Sequence, residues 1–280
     1  GAAGGDVGDA GLHTDGAAGG AGGATSAVPE PPEDMVYVPL PATGPFPGVQ
    51  RGFFLDRTEV TTSAYRQCVA AGRCVRAARV VLTDQVADEL FGAAAADPSG
   101  TLTEPERLAE IWGPRCNDVR DEGGHPINCV NHASAVDYCR WKSRRLPRAA
   151  EWTLAATGGQ SWPYPWGSTK PQCGDACFGL NGSCVTSATQ VATCAVDGSG
   201  KDITPDGIVG LAANVAEWVA DDVPTPAHLQ PRRRVLGGGF TDESSDIIWA
   251  PSKTLPAVTA FVTIGFRCAM DLPTSGADEP

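Results

Sequence analysis

Residues 135–152 read AVDYCRWKSRRLPRAAEW, and two helices meet within them. Upstream of the stretch, Asn131 is an N-cap for a helix over Ala133–Ser143, where Val136, Cys139 and Arg140 recur at i, i+3 and i+4. Leu146-Pro147 ends that helix, since a proline ring clashes with the preceding turn. The same Pro147 sits near the start of a further helix, Ala149–Ala156, stopped by Gly158-Gly159. Within it, Glu151-Trp152 reads as a helix start followed by a buried aromatic anchored by a polar partner.

Working outward, Met35-Val36-Tyr37-Val38 alternates as a strand does, and a Pro/Gly loop leads from it to Gly52–Leu55. Thr61-Thr62 caps a helix through about Ala71, stopped by Gly72. Residues 75–115 read as an insertion with a short helical stretch near Glu104–Ile111. Downstream lie the run WPYPWG at 162–167 and a cysteine-rich loop at 173–194. Strand candidates follow near 208–211, 216–220, 233–240 and 262–269. Asn214-x2-Glu217-Trp218 puts a carboxylate beside a large apolar ring, and Gly237-Gly238-Gly239 marks a tight spot without room for a Cβ. Few regular elements and many Gly/Pro loops predict an α+β domain over 34–272 with irregular connections and no internal repeat. Residues 1–33 are Gly/Ala-rich with a Pro/Glu end, a composition that buries little and behaves as a flexible tether; 273–280 form a short tail.

The formal charge of −12 and the pI near 4.7 argue against nucleic acid and anionic membranes as partners, because phosphates would be repelled. The basic runs Arg140–Arg148 and Arg232–Arg234 read as solvated faces or internal ion-pair partners. Ten cysteines without paired CxxC knuckles do not form a zinc site, and His125 and His132 do not complete one. They predict a disulfide framework made in an oxidising compartment. No run of about 18 apolar residues spans a membrane. The chain begins at Gly1, so an export signal is expected to have been removed or to lie outside it, and a lipid anchor upstream fits the tether. The expected location is periplasmic, cell-surface or extracellular.

Seven stretches, in order, resemble the formylglycine-generating (sulfatase-modifying factor) family. They are Glu59-Val60-Thr61, His125–Val130, Ala135–Trp152, Tyr164–Gly167, Gly207–Trp218, Val235–Phe240 and Gly265-Phe266-Arg267-Cys268. Together they span about residues 34–270. The resemblance implies a loop-rich fold distantly related to the C-type lectin domain, stapled here by disulfides.

The family's chemistry, an oxidation of a substrate cysteine to formylglycine by O₂, uses a copper(I) ion held by two thiolates. Soft Cu(I) favours soft sulfur ligands. Register from Gly237-Gly238 puts those two positions on Asp242 and Ile247, and puts Gly239 where a serine of the oxygen pocket stands. Asp242 is a hard donor, Ile247 offers no donor, and no cysteine occurs from residue 195 to 267. Copper is therefore not expected. The resemblance also implies a calcium site at Gly207–Trp218, built from Glu217, the carbonyls of Ala213 and Val215 and an early side-chain oxygen. That early position falls on Gly210, which has none; the other reading of Glu217 is a buried, hydrogen-bonded structural carboxylate.

The resemblance further pairs Cys139 with Cys268, closing a loop long enough to stabilise by roughly 4–5 kcal/mol in the chain-entropy picture. Proximity in sequence suggests Cys68–Cys74 and Cys116–Cys129. Cys173, Cys177, Cys184 and Cys194 then allow three connectivities, among which the sequence does not choose.

No Ser/His/Asp order stands out, and the four histidines are scattered. Asn181-Gly182-Ser183 is a glycosylation sequon, and Asp221-Asp222 and Asp242-Glu243 read as solvated turns. The reading that follows is a non-catalytic exported module that binds a peptide, glycan or protein at the former substrate groove, with self-assembly into a surface structure as one form of that role. The alternative is an oxidase of the family with a displaced site.

Overall fold

Order along the chain is β1 (Met35–Val38), β2 (Phe53–Asp56), α1 (Thr62–Ala70), α2 (Asp84–Phe91), α3 (Glu104–Trp112), α4 (Asn117–Arg120), α5 (His132–Trp141), α6 (Ala149–Thr157), β3 (Ala216–Val223), β4 (Arg232–Leu236), β5 (Lys253–Pro256), β6 (Ile264–Gly265) and β7 (Ala269–Asp271). These come from a computed structural model that describes residues 29–91, 103–180, 183–184, 192–198, 200–243 and 252–273. Ile247, Asn181 of the sequon and most of both tails lie outside the described residues.

The helices start where their caps dictate. Thr61 Oγ1 accepts the Ala64 N–H at 3.2 Å, and Asn131 Oδ1 accepts the Ser134 N–H at 2.9 Å. At α6 the Glu151 carboxylate accepts the Arg148 N–H at 2.8 Å, and Gly158 ends the helix at φ 57°. Ser143 is not helical as expected; it sits at φ 58°, just past the end of α5.

Two small sheets result. One has the order β1-β2-β7, antiparallel throughout. The other has the order β5-β4-β3-β6, with β6 parallel to β3. The anticipated strand at 208–211 is a loop, because Gly207 (φ 86°) and Gly210 (φ 74°) interrupt extended backbone. The strand expected over 233–240 stops at Leu236, where Gly237 turns at φ 81°. The stretch 262–269 divides into β6 and the start of β7, so Phe266-Arg267-Cys268 crosses from one sheet to the other.

One hydrophobic cluster joins α1, α5 and the four-stranded sheet around Tyr65, Tyr138, Trp218 and Phe266. A second packs α6 against the three-stranded sheet around Phe53, Leu55 and Trp152. Phe266 and Cys268 belong to the first cluster and Ala269 to the second, so the chain passes from one to the other here.

Candidate functional site

Arg267 is fully buried at that crossing, and its guanidinium has a full set of acceptors. Nη2 donates to Glu217 Oε1 at 2.7 Å, to Val209 O at 2.8 Å and to Gly210 O at 3.0 Å. Nε donates to both Glu217 oxygens at 2.9 and 2.8 Å, and Nη1 to Asp56 O at 3.2 Å. Burial works against the charge of Arg267, but the Glu217 carboxylate outweighs it, so the group titrates above its ordinary range.

Glu217 also accepts the Trp152 indole N–H at 2.8 Å. The ring beside Glu217 is thus Trp152 and not its sequence neighbour Trp218. Successive strand residues face opposite sides of the sheet, and Trp218 instead donates to Val130 O at 2.9 Å on the other face. Both carboxylate oxygens of Glu217 are committed to an arginine and an indole. A Cβ built at Gly210 would lie 2.6 Å from Glu59 Oε2, so Glu59 fills the volume of the missing early ligand. With Glu217 held by a guanidinium and no side-chain oxygen at Gly210, the set that includes the Ala213 and Val215 carbonyls lacks the side-chain ligands that a divalent cation needs.

Glu59 is itself buried. Its Oε1 accepts from Asn214 Nδ2 at 2.9 Å, while Oε2 has no hydrogen-bond partner. Burial pushes its carboxyl up to about 8, opposed by Arg267 and aided by nearby Glu217. Asp202 is pushed up to about 6 by burial, against the N–H groups of Ala212 and Ala213 that it accepts.

Asp242 lies at the rim of a cavity of about 780 Å³, bordered by Glu89, Trp112, Arg232, Lys253, Leu255 and Thr263 among others. Its Oδ2 accepts the Gly239 N–H at 2.8 Å and lies 4.0 Å from Lys253 Nζ. Glu89 and Arg232, which also line the cavity, pair at 3.5 Å. Asp242 is the residue that closes its own turn, with a hard oxygen committed to it. Gly239 leaves no space for a serine, since a Cβ there would meet Thr263 Cβ at 2.7 Å.

The ten cysteines form five bridges: Cys68–Cys74, Cys116–Cys129, Cys139–Cys268, Cys173–Cys184 and Cys177–Cys194. None is left as a free thiol. These donors do not suit a copper(I) ion.

The remaining polar residues singled out in the sequence serve the scaffold. Arg144 bridges Asp34 and Asp56, and Arg145 bridges Glu151 and Asp271, so these two members of the 140–148 run are internal ion-pair partners. Asp221 accepts the Ala149 N–H at the start of α6, and Asp222 pairs with Arg233 at 2.9 Å. His125 Nδ1 lies 2.9 Å from Thr193 Oγ1, and His132 Nε2 lies 3.1 Å from Val219 O. What the residue pattern did not yield was the partner of Glu217. A lone arginine in the apolar run Ile264–Cys268 was the available signal, since a buried charge requires a counter-charge.

The sequence model of the sulfatase-modifying factor enzyme 1-like domain matches residues 45–272. The formylglycine-generating enzyme of Mycobacterium tuberculosis is 30% identical over 280 residues, covering 81% of this chain and 89% of its own. The inactive C-alpha-formylglycine-generating enzyme 2 of Bos taurus is 26% identical over 255 residues, covering 81% of this chain and 78% of its own. Among solved structures, CarF superposes with a TM-score of 0.56 at 17% identity, over 86% of this chain and 99% of that one.

Proposed function

Given that this chain belongs to the sulfatase-modifying factor enzyme 1-like domain family, we propose that it is a non-catalytic member, an exported module that keeps the scaffold as a binding surface. The observation that carries this reading is the state of sulfur and of Asp242 together. Every cysteine is in a disulfide, and Asp242, at the position the family register gives to a thiolate, is tied to its own turn. A soft metal has no ligand there, and an oxidised scaffold has no thiolate to offer O₂ chemistry. Five bridges in one domain support folding in an oxidising, non-cytoplasmic compartment. Among the described residues no helix is long and apolar enough to cross a membrane.

The face that remains is the cavity beside Asp242. Its walls carry two ion pairs, Asp242 with Lys253 and Glu89 with Arg232. Walls of both signs suit a polar peptide segment with charges of both signs, held by exchange of those pairs at the rim.

The rival reading is an oxidase of the family with a displaced site, favoured by the 30% identity to the Mycobacterium tuberculosis enzyme. One incubation separates the two. The full chain, loaded with Cu(I) and given a peptide bearing Cys-x-Pro-x-Arg, is expected to leave the peptide cysteine intact by mass spectrometry. Formation of the aldehyde overturns the non-catalytic reading. Thiol titration under denaturing, non-reducing conditions is expected to find no free thiol, and two free thiols per chain would support the rival.

A further inference from the structure

The loop closed by Cys173–Cys184 holds the turn that carries Asp242. Gly179 N–H donates to Asp242 O at 2.7 Å, and Leu180 N–H donates to Phe240 O at 2.9 Å. Ser183, the neighbour of Cys184, donates to the Glu243 carboxylate twice, from its hydroxyl and from its N–H at 3.2 Å. Cys184 N–H returns to Gly179 O at 2.9 Å, which closes the loop on itself. A Cβ at Gly179 would lie 3.0 Å from Cys184 Sγ, so the bridge rests directly on the residue that reaches Asp242.

The two bridges of this loop do different work. Cys177–Cys194 is anchored in the core: Cys177 O accepts the Asn214 N–H at 3.0 Å, and the Cys194 N–H donates to Asn214 Oδ1 at 2.9 Å. Cys173 is the one exposed cysteine of the ten, and its partner Cys184 is half-buried. Cys116, Cys139 and Cys268 are fully buried. Access to a sulfur governs the rate at which a thiolate attacks it.

We propose that Cys173–Cys184 is a site of thiol–disulfide exchange with an external dithiol, and that its opening releases the Gly239–Glu243 turn and reshapes the cavity beside Asp242. One thiolate of the dithiol attacks Cys173 Sγ. The Cys173–Cys184 bond breaks, with its electron pair leaving on Cys184 Sγ, which takes up a proton. The second thiol of the dithiol then displaces Cys173, which leaves as a thiolate and is protonated. The protein gains two electrons and two protons, and the dithiol departs as a disulfide. That the cavity is a binding face rests on the reading above; the exchange and the release do not.

The test uses the full chain and no ligand, so its failure leaves the binding reading standing. The oxidised chain is treated with graded dithiothreitol, quenched with an alkylating reagent and mapped by mass spectrometry. Cys173 and Cys184 are expected to label first, about tenfold faster than any other pair. Another pair opening first, or all five opening together, overturns the exchange site. In a C173S/C184S variant, amides of Gly179, Leu180 and the 237–243 segment are expected to exchange with deuterium about tenfold faster, with α5 and α6 unchanged. Unchanged protection of the turn overturns the latch. Should that variant fail to fold, wild-type chain alkylated only at Cys173 and Cys184 gives the same measurement.

Discussion

Arg267 and Glu217 face each other between the two sheets with 2.7 Å between Nη2 and Oε1, at side-chain exposures of 0% and 1%. Removing one member strands the other charge in the core. Arg267→Met is expected to cost about 3–5 kcal/mol in urea unfolding with disulfides intact. Arg267→Met with Glu217→Met together is expected to recover much of that loss, since no charge is left unpaired. A single variant within about 1 kcal/mol of wild type would contradict the pairing.

The same pair predicts indifference to calcium. With Arg267 on Glu217, neither a chelator nor millimolar calcium is expected to move the melting temperature by more than about 1 °C. A rise of several degrees on adding calcium, abolished in Glu217→Gln, would show that the carboxylate releases its arginine for a cation.

Glu59 gives stability a slope with pH. Its carboxyl is pushed from an ordinary 4.5 up to about 8 in the folded chain, so the folded state holds this proton more tightly than the unfolded one. Its contribution is full below 4.5 and is lost as pH rises through 8. Asp56 and Asp202, both pushed up to about 6 by burial, act in the same direction over the lower part of that window. In Glu59→Gln no proton is exchanged at this site. The stability of the variant relative to wild type is therefore expected to improve steadily from pH 4.5 to 8, and parallel curves would refute the assignment.

Gly239 sits too close to Thr263 for any side chain. Gly239→Ser is expected to lower stability by about 1–3 kcal/mol through overpacking, read from the thermal midpoint. Adding Thr263→Gly, which removes the Cβ in the way, is expected to restore part of it. A neutral Gly239→Ser would mean that the turn moves freely, against the hydrogen bonds that Gly179 and Leu180 make to it.

The parts of this fold set by local chemistry were readable in advance. Thr61, Asn131 and Gly158 mark ends of α1, α5 and α6 through their own side chains or backbone freedom. Where long-range pairing decides, the sequence carried less. β5 (KTLP) has no alternation of its own and exists because it pairs with β4. α2 does carry a helical apolar spacing, Val86, Ala87, Leu90 and Phe91, but it lies inside a stretch that reads as an irregular insertion. Glu217 and Trp218 are adjacent in sequence but on opposite faces of β3, and nothing near Glu217 names its partners Trp152 and Arg267, 65 and 50 residues away; the lone arginine in its own apolar run was the one pointer. The choice of Cys173–Cys184 and Cys177–Cys194 among three pairings is likewise settled by the loop's contact with the Asp242 turn and Asn214, which spacing alone does not encode.

β1 and β7 both flank β2 and run in the same direction, with Met35 opposite Asp56 and Asp271 opposite Phe53. A pull applied at Met35 and Asp271 therefore slides the three strands along one another and loads their hydrogen bonds side by side, rather than peeling them one at a time. Immediately behind β7, Cys268 is bonded to Cys139 of α5, so beyond that sheet the force meets a covalent link. Tension between Met35 and Asp271 would thus be carried first in shear by three strands and then by a covalent bond.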